Sequence, residues 1–157
     1  MIGQTTTFNG SLIARTIQPV VMSKCVSTGI LSLSGATVSG SVFVNPVGSL
    51  SYAANTTNAG MTLRMKVMFE VLSYTAGTLT FSLNVNGVSV LTSGTVTTVG
   101  NGKLEIDAAI RGSSTLQTAM CLVVNGQTSK FTRAATASGW ILTALNTIDV
   151  VAIVNSR

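Results

Sequence analysis

The chain has 157 residues, long enough to bury one core, and it is 46% hydrophobic but only 8% charged, against roughly a quarter in an average soluble domain, so little charge is available to cover an isolated monomer. It holds no histidine, which removes Ser-His-Asp and Cys-His catalysis and the usual zinc sites, and only four carboxylates. The net charge of +5 comes from Lys and Arg scattered between Arg15 and Arg157, so no direct nucleic-acid contact is expected, and no apolar run reaches the ~20 residues that span a bilayer.

The first residues, MIGQTTTFNG, lack a basic stretch followed by an apolar one; no signal peptide is expected, and the product should be soluble and made in the cytosol. In SLIARTIQPVVM, Pro19 argues against a central strand, so residues 1–24 are expected to form an arm or edge strand that reaches a neighbouring subunit or docks on the body, residues 25–157. Leu12, Ile13, Ile17, Val20 and Val21 are the arm residues expected to make that contact. Cys25 and Cys121 are too few for a disulfide framework and read as buried thiols.

GILSLSG and GSVFVN are short strand candidates, with Pro46 and AANTTNAG as connections. In MTLRMKVMFEVLSY the side chains of Met61, Leu63, Met65, Val67, Phe69 and Val71 fall on one face and those of Thr62, Arg64, Lys66 and Glu70 on the other, a long half-buried strand. The next strand places Leu79, Phe81, Leu83 and Val85 inward and Thr78, Thr80, Ser82 and Asn84 outward. Asn86-Gly87 then supplies the positive φ angles of a tight hairpin, with Val88 to Leu91 folding back.

GKLEIDAAIRG alternates in the same way, with Leu104, Ile106, Ala108 and Ile110 inward and Lys103, Glu105, Asp107 and Arg111 outward. TLQTAMCLVV follows and closes at Asn125-Gly126; helical periodicity is visible only weakly, in WILTAL. NTIDVVAIVN is apolar on both faces and is expected to be buried on both. About eight antiparallel strands with turns between them predict an all-β sandwich of jelly-roll type.

Chemistry-bearing groups are few. Glu105 and Asp107, two apart on a strand, share a face at ~6.5–7 Å, within the range that glycosidases use, but they sit in a charged row with Lys103 and Arg111 that reads as a solvated face. Trp140, Tyr52 and Tyr74 are the candidates for stacking on a sugar or base, with Trp140 better placed as core. No phosphate-binding glycine loop is present, and no cofactor or metal is expected. Arg64, Lys66 and Glu70 either pair across a subunit interface or face water. Met68 and Leu72 on the outer face of one strand, and Val151 and Ile153 on the last, leave apolar side chains where a monomer would carry charge; these mark a contact surface and a homo-oligomer, with a trimer the expected state.

SLSYAANTTNAGMTLRMKVMFEVLS, GTLTFSLNVNGVSVLTSG, GKLEIDAAIRG and NTIDVVAIVNS, in that order, resemble the small jelly-roll proteins of tailed bacteriophages, the tumour-necrosis-factor-like domains of head-decoration (cement) proteins and some fibre tips. The likeness covers roughly residues 48–157. It implies a non-enzymatic virion protein on the capsid surface that bridges major capsid subunits, with Leu12, Ile13, Ile17, Val20 and Val21 of the arm as the expected shell contact. The alternative it implies is a tail-fibre or receptor-binding tip that recognises host glycan. Two departures stand out: relatives carry a tryptophan in the closing strand, where this chain has Val151 and Ala152, and residues 1–24 have no family counterpart.

Overall fold

In the computed structural model the described residues are 6–8, 12–14, 33–34, 37–43, 49–72, 77–112, 114–137 and 139–156, with the backbone alone for 6–8, 12–14, 37, 127–137 and 156. Alternating apolar and polar residues make the strands. They are β1 (Thr6–Phe8), β2 (Leu12–Ala14), β3 (Thr37–Ser41), β4 (Leu50–Tyr52), β5 (Thr62–Val71), β6 (Gly77–Val85), β7 (Val88–Thr92), β8 (Gly100–Gly112), β9 (Thr115–Val124), β10 (Gln127–Ala137) and β11 (Asn146–Ser156). No helix occurs among the described residues. The weak helical signal at WILTAL gives a turn instead, in which the Ala144 N–H donates to the Ile141 carbonyl at 3.2 Å.

β3-β11-β6-β7, with β4 also paired to β11, face β5-β8-β9-β10 as an antiparallel sandwich, while β1 and β2 pair with each other. Five strands face four, nine where about eight were expected, and several steps stay within a sheet rather than alternating between sheets as in a jelly roll: β6 turns straight into β7, and β8, β9 and β10 run as a meander. Two of the tight turns are Asn-Gly. Asn86 and Gly87 have φ of 50° and 79°, and Asn125 and Gly126 have 49° and 76°, the pair of left-handed residues that matches the strand twist of a two-residue hairpin.

Leu104, Ile106, Ala108 and Ile110 of β8 and Leu116, Met120 and Leu122 of β9 meet Phe81, Leu83 and Val85 of β6 and Ile148, Val150 and Ala152 of β11 in one core. β11 lies inside its sheet, between β3 and β6, so its inner residues are buried; the expectation that its outer residues would be equally buried fails, since Val151 and Ile153 are half-buried. Gly102 is required by packing: a Cβ there would stand 2.0 Å from the Phe69 ring, which itself packs on Phe81 with centroids 5.0 Å apart.

Thr118 breaks the apolar pattern of β9. It is fully buried, and its hydroxyl has no hydrogen-bond partner among the described residues. An unpaired buried hydroxyl keeps its desolvation cost with no return, whereas valine has the same shape and a higher strand preference. Thr118→Val should therefore raise the unfolding free energy by about 1 kcal/mol, read as a higher urea midpoint at unchanged slope. A lower midpoint would show that the hydroxyl is satisfied.

Candidate functional site

The sandwich has two outer faces, and they differ in charge. On the outside of β5-β8-β9 stand Arg64, Lys66, Glu70, Lys103, Glu105, Asp107 and Arg111, alternating with the core residues of the same strands. Arg64 Nε donates to Asp107 Oδ1 at 2.9 Å, and Lys103 Nζ to Glu105 Oε1 at 3.0 Å. The hydrogen bond from Lys103, and then its charge, hold the Glu105 carboxyl below its usual range, with weaker help from Lys66 and Arg64. A carboxyl held low in this way is the opposite of what a glycosidase general acid needs, a raised pKa. Arg111 donates from Nε and Nη2 to Gln117 Oε1, at 2.9 and 2.6 Å, beside a shallow depression of about 310 Å3 shared with Arg64 and Asp107.

The outside of β3-β11-β6-β7 is nearly neutral. Its one charged group among the described residues is Asp149, and Ser41 Oγ donates to its Oδ1 at 2.5 Å. Val151 stands between Ser41 and Ser82, and Ile153 between Ser39 and Thr80. Ser82 is only 4% exposed although it points away from the core; its hydroxyl lies 2.7 Å from that of Ser89 and 2.8 Å from Asn84 Oδ1. Apart from Asp149, the described side chains here are small hydroxyls, amides and two aliphatics, which makes a face with little charge to hold it in water.

The anticipated contact residues divide among these surfaces. Met68 and Leu72, 68% and 81% exposed, lie on the charged outer face, and Val151 and Ile153 lie on the neutral one, so the sandwich itself separates the two pairs. Leu12 and Ile13 are in β2, where only the backbone is described; Ile17, Val20, Val21, Cys25 and the boundary between residues 24 and 25 lie outside the described residues. Val88, Val99, Ile141 and Leu145 are also exposed and were not singled out from the sequence. Of these, Val99 lies one step beyond the pair Val71 and Gly100, across from Leu72, a neighbourhood set by the β5-β8 register and not by any pattern in the sequence. Cys121 is half-buried on the outer side of β9, opposite Glu105. Trp140 is fully buried, donates from Nε1 to Thr57 Oγ1 at 3.1 Å and packs on Tyr52, so it offers no stacking surface.

Among the described residues no group of three or more Cys, Asp or Glu side chains could hold a metal ion. No protein-family model, curated protein or solved structure matches the chain.

Proposed function

We propose that this chain is a non-enzymatic virion structural protein that decorates and stabilises a bacteriophage capsid, bound to the outer shell as a homo-oligomer and bridging neighbouring major capsid subunits. The observation that carries the reading is the segregation of charge between the outer faces: of the charged side chains described, all but Asp149 stand on one of them. Cores of protein interfaces are depleted in charge, and the neutral face with Val151 and Ile153 at its centre has that composition. The likeness of residues 48–157 to head-decoration proteins supplies the partner. A protein that binds only the mature shell stabilises it by mass action, and one that spans two subunits gains effective concentration at its second contact. The glycan-binding tip has less support, because the tryptophan it would stack on a sugar is inside the core.

Co-sedimentation with expanded shells purified from phage lacking the protein tests the reading. The unaltered chain should pellet with shells. Ile153→Lys, which leaves the core side of β11 untouched, should weaken that binding about tenfold or more by placing an unpaired charge in a desolvated contact. Failure of the unaltered chain to pellet would sink the capsid reading, and full binding by Ile153→Lys would remove this face from it.

A further inference from the structure

We propose that two copies of this chain pair edge to edge through β5, antiparallel about a two-fold axis at Val67, so that their β5-β8-β9-β10 sheets join into one eight-stranded sheet. β5 ends its sheet: all ten of its residues pair with β8, from Thr62 opposite Ala109 to Val71 opposite Gly100, and among the described residues no strand lies on its other side. The Ile110 N–H donates to the Met61 carbonyl at 2.8 Å, and in an antiparallel ladder such pairs recur at every second residue. The odd-numbered residues of β5 thus turn their backbone groups to β8, and Thr62, Arg64, Lys66, Met68 and Glu70 turn theirs to the open edge. No proline, glycine or bulge blunts that edge.

Side-chain burial points the same way. Leu63, Met65 and Val67 face the core yet are only half-buried, whereas the β8 residues opposite them, Ala108, Ile106 and Leu104, are 0–1% exposed. The difference is position: β8 has a strand on both sides, β5 on one. A second β5 would cover this apolar margin.

The occupant is a second copy because the strand is complementary to itself. With Val67 opposite Val67, Met65 meets Phe69 and Leu63 meets Val71 on the core side, and on the outer side Arg64 meets Glu70 and Lys66 meets Met68, each of these four pairs occurring twice. Glu70 has no cation partner among the described residues, and Arg64, its side chain 82% exposed, uses only Nε on Asp107. Sliding by one pair in one direction sets Lys66 against Lys66; sliding the other way costs two residues of overlap. The contact is isologous and closes at two copies, so it predicts a dimer where the sequence led to a trimer. It stands apart from shell binding: a monomer that pellets with shells would overturn the pairing and leave the shell binding standing.

The test is the mass of the full chain by light scattering and sedimentation velocity over about 1–100 μM, the range in which a micromolar dimer dissociates. The expected mass is twice the chain's 16.1 kDa. Glu70→Arg should raise the dimer dissociation constant about tenfold or more by creating two like-charge pairs, and Arg64→Glu combined with it should restore the dimer. In a Cys25→Ser, Cys121→Ser background, Val67→Cys should oxidise to a covalent dimer, because a non-hydrogen-bonded pair holds its Cα atoms about 4.5 Å apart, within disulfide reach. Met65→Cys, which has Phe69 opposite, should not. A monomer throughout, or an oligomer whose mass ignores Glu70→Arg, would overturn the proposal.

Discussion

Trp140→Ala should cost about 4–5 kcal/mol of unfolding free energy, at the upper end of the range for removing a large aromatic from a core. The indole is fully buried at one end of the sandwich, where the loop after β4 meets the segment that leads into β11. Its ring centroid is 5.6 Å from that of Tyr52 in a tilted pair, its Nε1–H donates to Thr57 Oγ1 at 3.1 Å, and its carbonyl accepts from the Ser114 N–H at 2.5 Å. Alanine keeps the backbone bond, leaves a cavity and deprives the Thr57 hydroxyl, 2% exposed, of its donor. Trp140→Phe fills much of the space without the donor and should lose about half as much. Because this is the chain's one tryptophan, unfolding must be followed by circular dichroism in urea rather than by fluorescence. A loss below about 1.5 kcal/mol would mean that the site collapses around the missing ring.

Asn146→Ala should cost about 3 kcal/mol, although it removes only a small polar side chain. Asn146 is 1% exposed. Its Oδ1 accepts from the Ile141 N–H at 2.8 Å and from Asn86 Nδ2 at 3.2 Å, and its Nδ2 donates to the carbonyls of Ile141 at 2.7 Å and Ala144 at 3.0 Å. One amide thus closes the turn before β11 and ties it to the β6-β7 hairpin, whose Asn86 also accepts from the Thr147 N–H at 2.7 Å. Alanine strands the part-buried N–H and carbonyl of Ile141 and the carbonyl of Ala144, and a stranded buried group costs about 1–3 kcal/mol before relaxation and re-solvation. Asn146→Asp separates the two halves of the network: it keeps the acceptor but sets a carboxylate against two carbonyls, so it should be no better than alanine. Thermal unfolding of the three proteins side by side checks this, and an Asp variant close to the unaltered chain would show that the two donated bonds matter little.

The same network explains why WILTAL is not a helix. Its spacing carries a faint helical period, but Asn146 closes the segment as a turn, donating to the Ile141 and Ala144 carbonyls and accepting from the Ile141 N–H. No local pattern announces that Asn146 is reserved for this. The candidate site shows a similar limit. Exposure of Met68 and Leu72 followed from alternation alone, as did the outward direction of Val151 and Ile153. That the two pairs lie on opposite outer faces followed only from the sheet to which each strand belongs.

What the sequence determined by itself is everything that depends on a residue and its near neighbours. Strand identity and inward face in β5, β6, β8 and β9 come from the two-residue period of side chains, and the hairpins at Asn86-Gly87 and Asn125-Gly126 from the left-handed backbone that this dipeptide adopts at low cost. Only the tertiary structure decided which strands became neighbours: β11 entering between β3 and β6, β5 ending its sheet among the described residues, and Ser82 and Thr118 enclosed although polar. The physical reason is that a ladder joins backbone N–H and C=O groups that every non-proline residue carries, so pairing is chosen by the packing of whole faces at long range.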